Sequence, residues 1–221
     1  PLAQSVCDRI ADQYVAWQES TFPGMLGNVV AGRIANCFDL HGINLSVDAA
    51  CASSLAAVST AVGELASGSA DTVIAGGADT LNDILTYMCF SKTPALSPTE
   101  DCRPFSDAAD GTLLGEAVVM FALKRLSDAE TAGDRIYAVV RGVGSASDGR
   151  GGAIYAPAPE GQSTALHRAY CRAGYGPESV DLFESHGTGT KAGDAAEFTA
   201  LHSVFSSSGR SEAMVRVGIG E

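Results

Sequence analysis

A chain of 221 residues is long enough for one substantial core, and a composition 46% hydrophobic and 18% charged is that of a folded globular protein rather than a disordered one. Fourteen Lys and Arg against 26 Asp and Glu give a formal charge of -12, which argues against a general attraction to nucleic acid or to an anionic membrane surface. No apolar run reaches the roughly 18–20 residues of a membrane span, and PLAQSVCDRI lacks the layout of a signal peptide. The six cysteines, at 7, 37, 51, 89, 102 and 171, show no CxxC or Cys/His spacing for a metal, so reduced thiols, no bound metal and a cytoplasmic setting are expected. The chain opens at Pro1 and stops in strand-like VRVGIGE, so a fragment of a longer protein is expected.

Val6, Ile10, Tyr14 and Trp17 recur at helical spacing and predict a helix over the first 18 residues, ending near FPG. Asn28 to Phe38 reads as a second helix, followed by a turn and the strand INLSVD. After Cys51, the stripe Leu55, Val58, Val62 and Leu65 predicts a helix with one apolar face. DTVIAGG and GEAVVMFALKRL read as strands, and FSKTPALSPTEDCRPFSDAADGT between them as a long loop of the kind that is usually functional. IYAVVRGVGSASDG is a further strand candidate; a helix over Glu160–Ala173 ends at Gly174. DLFES, a glycine-rich turn and a helix with Phe198, Leu201 and Phe205 on one side then repeat the strand-turn-helix order. Such alternation predicts an α/β fold with mostly parallel pairing.

Two residues stand where chemistry is possible. Cys51, between a strand and a helix start, would meet unpaired N–H groups that stabilise negative charge on sulfur, and its small neighbours Ala49, Ala50, Ala52, Ser53 and Ser54 leave room for a substrate. The same cysteine among alanines is equally a small buried hydrophobe. His186, at a strand end before two Gly-Thr pairs, suits hydrogen bonding to an oxyanion or proton exchange, while an incidental surface-turn histidine fits the spacing as well. Asp194 and Glu197 have the spacing of a capping box for the following helix. AGGAD, GVGSASDGRGG and HGTGTKAG miss the dinucleotide fingerprint, and no phosphate-loop pattern is present. Acyl transfer through a thioester suits a Cys and a His that meet at one sheet edge; so does a Cys-His hydrolase, and residue types alone do not decide.

The chain resembles the β-ketoacyl synthase domain of type I polyketide and polyunsaturated fatty acid synthases through AGRIANCFDLHG, VDAACASSLAAV, RPFSDAADGTLLGEA and the stretch EGQSTALHRAYCRAGYGPESVDLFESHGTGTKAGDAAE. The resemblance implies a thiolase-like fold, a layered αβαβα arrangement on a duplicated βαβ core, incomplete here at both ends. Residues up to about 130 would belong to the half bearing the nucleophile, and about 131–221 to the half bearing the first catalytic histidine. It further implies decarboxylative Claisen condensation, with Cys51 as acyl acceptor, its backbone N–H as half of an oxyanion hole, His186 stabilising the enolate, and Thr188 and Thr190 contacting a pantetheine arm. No cofactor would be bound directly; phosphopantetheine would arrive on an acyl carrier protein. Other partners implied are the remaining domains of a multidomain synthase and a second copy in a homodimer.

The nucleophile stretch reads AACASS where many members have TACSSS, and with YMCFSKTPALS and IYAPAPEGQ it is more similar to polyunsaturated fatty acid and related iterative synthases than to modular polyketide synthases. Gly218 aligns with the start of the family's second-histidine segment, but Glu221 stands where its lysine is expected, so the fragment alone is expected to be inactive. A thiolase-fold acyltransferase without decarboxylation and a non-catalytic chain-length-factor-like partner are the competing readings; Cys51 argues against the second. Docking an acidic carrier protein needs local positive charge, for which Lys124, Arg125 and Arg135 are candidates.

Overall fold

The computed structural model describes residues 2–13, 16–93, 95–150, 153, 155–206 and 216–219. The chain divides into two compact units, residues 1–53 and 54–221.

In the first unit, helix α1 spans Leu2–Ala11, α2 Thr21–Gly24 and α3 Val29–Cys37. The helix expected over the first 18 residues is therefore shorter: Trp17 lies outside it and is exposed, and Tyr14 lies outside the described residues. Pro23 falls inside α2, in the first turn, where a missing N–H costs no hydrogen bond. Helix α3 ends in a Schellman closure, with Asp39 left-handed at φ 54° and the Leu40 N–H returning 2.8 Å to the Ala35 carbonyl. The expected strand INLSVD does not form. This segment has no paired strand among the described residues; Ser46 Oγ instead donates to the Gly27 carbonyl at 2.8 Å, and an extended chain without a ladder partner is not a strand.

In the second unit, α4 (Ser53–Ser67), which starts at the last residue of the first unit, buries Ala61 and Leu65. Leu55, expected on the buried stripe, is exposed. Strands β1 (Thr72–Asp79) and β2 (Ala117–Lys124) pair antiparallel from Thr72↔Lys124 to Asp79↔Ala117, against the expectation of mostly parallel pairing. The connection between them is long enough to return in either sense, so strand direction was not encoded in the local apolar runs. That connection also contains α5 (Ile84–Lys92), started by the Asp83 carboxylate accepting from the Thr86 N–H at 2.9 Å. Its apolar residues Ile84, Leu85 and Met88 stand at helical spacing yet are exposed.

Helix α6 (Leu126–Ala132) follows β2 and is tied back by Arg125. This guanidinium donates to Asp128 (2.6 Å), to the carbonyls of Leu65 (3.0 Å) and Ala70 (2.7 Å), and to the Asp71 carboxylate. Asp71 first and Asp128 second hold the Arg125 charge above its already high ordinary range. Lys124 pairs with Asp134 at 2.7 Å, and Arg135 stacks 4.6 Å over the Tyr137 ring. The three candidate docking cations are thus engaged within the chain.

Helix α7 spans Pro159–Ala173 and ends at left-handed Gly174, in line with the sequence. The expected strand from Ile136 does not form; its carbonyls find other donors. Arg168 Nη1 donates to Ser145 O at 2.6 Å and Arg172 Nη1 to Val143 O at 2.5 Å, so the segment lies along α7. The approach demands glycine at 144, where a Cβ would stand 2.0 Å from the Ala165 carbonyl oxygen.

Strand β3 (Leu182–Ser185) pairs parallel with β4 (Arg216–Ile219) and leads through a turn into α8 (Lys191–Ser206). Leu201, Val204 and Phe205 of α8 form a buried cluster covered by Leu166, Tyr170, Val180 and Phe183. Tyr170 and Phe183 meet Phe205 edge-on at 6.3 and 5.9 Å, geometry that favours aromatic pairs. Burial raises the Tyr170 hydroxyl above its ordinary pKa. Phe198, expected on this face, is exposed and lies instead beside His202 at 6.1 Å. Among the described residues no helix is long and apolar enough to cross a membrane.

Candidate active site

Cys51 sits in a single 3-10 turn, Ala50–Ala52, that runs directly into α4. Ala50 is left-handed at φ 49°, a conformation that costs a non-glycine residue about 1–3 kcal/mol and persists only where surroundings impose it. Here the imposing groups are two side chains, together with the Ser53 backbone N–H that donates to the Ala50 carbonyl. Asp48 Oδ1 accepts from the Ala50 N–H at 3.0 Å; Ser53 Oγ accepts from the Ala49 N–H at 2.9 Å and donates to the Ala50 carbonyl at 2.6 Å. The Cys51 N–H itself has no acceptor among the described residues, and the side chain is exposed, unlike the buried hydrophobe that its alanine neighbours equally suggested.

The second unit holds His186, Thr188 and Thr190 in one turn between β3 and α8. Both oxygens of Glu197 accept backbone N–H groups there, from His186 at 2.7 Å and Gly187 at 2.9 Å, fixing the chain where it leaves the strand and leaving the imidazole exposed. The Thr188 and Thr190 hydroxyls lie 2.9 Å apart. Thr190 Oγ1 also accepts the Gly193 N–H at 3.2 Å, so Thr190 is the cap of α8. Gly193 cannot carry a side chain without disturbing this pair, since its Cβ would stand 2.6 Å from both hydroxyl oxygens.

Asp194 and Glu197 therefore do not form the expected capping box. Both lie inside α8, past its start, and their carboxylates reach outward. Asp194, only 6% exposed, accepts from the Gly189 N–H at 3.1 Å and from the Phe105 N–H at 2.7 Å. It thereby ties the histidine turn to the long loop, which adds a Gly111 N–H to Gly189 carbonyl bond of 3.0 Å and a Cys102 Sγ contact to the Thr188 carbonyl at 3.7 Å.

That loop is ordered around Asp110. Its carboxylate accepts from Thr99 Oγ1 (2.7 Å), Ser97 Oγ (2.8 Å) and Arg103 Nη2 (2.7 Å). The Thr99 and Ser97 hydroxyls, with Arg103 adding to them, bring its pKa down to about 2. Of the residues singled out from sequence, the structure brings His186, Thr188 and Thr190 together, while Cys51 lies in the other unit. Ser53, Asp110 and the actual roles of Asp194 and Glu197 were missed. Only the D-x-x-E spacing signalled the last two, and it pointed to a different contact.

Two solved structures share this architecture and give its fold class, thiolase-like. The ketosynthase from module 6 of the bacillaene synthase of Bacillus subtilis 168 superposes with a TM-score of 0.86 at 32% identity, over 93% of this chain and 37% of that one. The oxazolomycin ketosynthase domain OzmH KS7 of Streptomyces albus JA3453 gives 0.81 at 35% identity, over 87% and 34%. Residues 7–129 match the family Beta-ketoacyl synthase, N-terminal domain, and residues 137–218 its C-terminal counterpart. The chain belongs to the β-ketoacyl synthase family. It is 50% identical over 189 residues to a polyunsaturated fatty acid synthase of Thraustochytrium sp., covering 86% of this chain and 7% of that protein. It is 38% identical over 185 residues to Polyketide synthase PksN of Bacillus subtilis, covering 84% and 3%. The chain thus spans about a third of the solved ketosynthases and under a tenth of these synthases.

Proposed function

We propose that this chain supplies the acyl-accepting cysteine and the first histidine of a ketosynthase acting in polyunsaturated fatty acid or polyketide synthesis. The Cys51 sulfur attacks the thioester carbonyl of an acyl chain carried on the phosphopantetheine of an acyl carrier protein. A new C–S bond forms, the pantetheine C–S bond breaks, and the pantetheine thiol leaves with the proton. A malonyl-type extender, also carrier-bound, then loses carbon dioxide, and the electron pair of the broken C–C bond forms an enolate. The enolate carbon attacks the Cys51 thioester, the sulfur departs as thiolate and takes up a proton, and the 3-oxoacyl product stays on the carrier.

In this reading the Cys51 N–H donates to the tetrahedral oxyanion, His186 donates to the enolate oxygen, and the Thr188 and Thr190 hydroxyls receive the pantetheine arm. Residues to about 130 serve the acylation half and about 131–221 the extender half. The carrier protein, further synthase domains and a second copy of the chain are the partners, in a cytoplasmic setting that keeps the thiols reduced.

The observation that carries the proposal is the exposed Cys51 on a left-handed turn flanked by small residues, with its own N–H unspent. The test is intact-mass spectrometry after incubation with an acyl-carrier protein. An acyl adduct on the native sequence that is absent from Cys51→Ala is expected; equal labelling of the two would overturn Cys51 as the acceptor.

A further inference from the structure

The turn that presents Cys51 is held by the side chains of Asp48 and Ser53. Ser53 lies two residues beyond the nucleophile, and its hydroxyl uses both capacities on the backbone just before it, accepting from Ala49 N–H at 2.9 Å and donating to Ala50 O at 2.6 Å. Those two bonds bracket Ala50, the residue forced to φ 49°. A left-handed alanine relaxes once its restraints go, and relaxation rotates the peptide that joins Ala50 to Cys51, whose nitrogen carries the unspent N–H. Asp48 holds only the N–H on the other side of Ala50, and the Ser53 backbone N–H also reaches the Ala50 carbonyl, so the hydroxyl is the one side-chain donor to this peptide and the restraint that Ser53→Ala removes.

We propose that Ser53 is a positioning residue for acylation at Cys51, aiming the Cys51 N–H at the oxygen that becomes negative when the sulfur attacks a thioester. This rests on the reading of Cys51 as acyl acceptor given above. Ser53 touches no reacting atom. It acts on the carbonyl addition step, in which the sulfur–carbon bond forms and the carbonyl electron pair moves onto oxygen before the thiol leaves. An SN2 alkylation at the same sulfur builds no oxyanion and does not need the N–H.

The two reactions separate the roles. The chain is treated in parallel with the hexanoyl thioester of N-acetylcysteamine and with iodoacetamide, and the Cys51 peptide is quantified by mass spectrometry. Ser53→Ala is expected to slow acylation about 10–100-fold, short of losing an oxyanion donor outright, while alkylation changes by less than about threefold. Ser53→Thr keeps the hydroxyl and is expected to restore acylation to within about threefold of native. Equal acylation of native and Ser53→Ala would overturn the proposal, as would an equal fall in acylation and alkylation in both variants, the mark of a generally disturbed turn. Alkylation without any acylation of the native chain would instead overturn the acyl-acceptor reading, and the role of Ser53 with it.

Discussion

Replacing Asp194 by alanine tests whether the histidine turn and the long loop are one cooperative piece. The carboxylate is 6% exposed and serves two backbone donors, Phe105 N–H at 2.7 Å and Gly189 N–H at 3.1 Å. Gly189 is buried, so its N–H cannot turn to water and bears a penalty of about 1–3 kcal/mol when its acceptor is removed. Phe105 is at the surface and rehydrates; losing its charge-assisted bond costs about 1–2 kcal/mol, near the lower end of the range for such bonds. The sum is about 2–5 kcal/mol. Asp194→Asn keeps one acceptor oxygen but turns an NH2 toward the other donor, and should cost about half as much. Urea unfolding followed by far-UV circular dichroism gives the global loss, and hydrogen exchange read by mass spectrometry on peptides spanning 103–111 and 186–190 gives the local one. A loss below about 1 kcal/mol with unchanged exchange in both segments would refute the coupling.

Asp110 should titrate near pH 2, against an ordinary value of 3.8, because the Thr99 and Ser97 hydroxyls and Arg103 favour its charged form. A carboxyl lowered in the folded state stabilises fully above the unfolded value and loses that contribution as pH falls through the folded one. The order of loop 97–112 should therefore persist at pH 4 and fade toward pH 2, and Asp110→Asn should show the disordered pattern already at pH 7. Carbon-detected NMR of the Asp110 carboxyl measures the midpoint, and a value near 3.8 would contradict the hydrogen-bond network. Gly144→Ala places a methyl group 2.0 Å from the Ala165 carbonyl oxygen, so α7 must move away. The expected loss is about 1–3 kcal/mol by thermal unfolding, the usual cost of overpacking, whereas Gly63→Ala, where a Cβ meets nothing within 4 Å, should be neutral or stabilising.

The elements most legible in the sequence were those whose signals are local. α3, α4 and α7 follow from apolar spacing and their terminators, and β1, β2 and β3 from short β-rich runs, because these patterns describe a residue's relation to neighbours a turn or two away. The Cys51 turn and the HGTGT turn were likewise located from residue types, and they brought the family with them. What the sequence alone could not decide depended on partners distant in the chain. INLSVD and the segment from Ile136 have strand composition yet no strand beside them among the described residues, and β1 runs antiparallel to β2 because direction is set by where a long connection returns. Asp194 and Glu197 read as a cap because spacing reports only the helix they belong to. Their carboxylates answer instead to Phe105, Gly189, His186 and Gly187, backbone donors that tertiary packing delivers and leaves short of acceptors. Sequence periodicity carries information about faces; the satisfaction of buried N–H groups is settled only once distant segments meet.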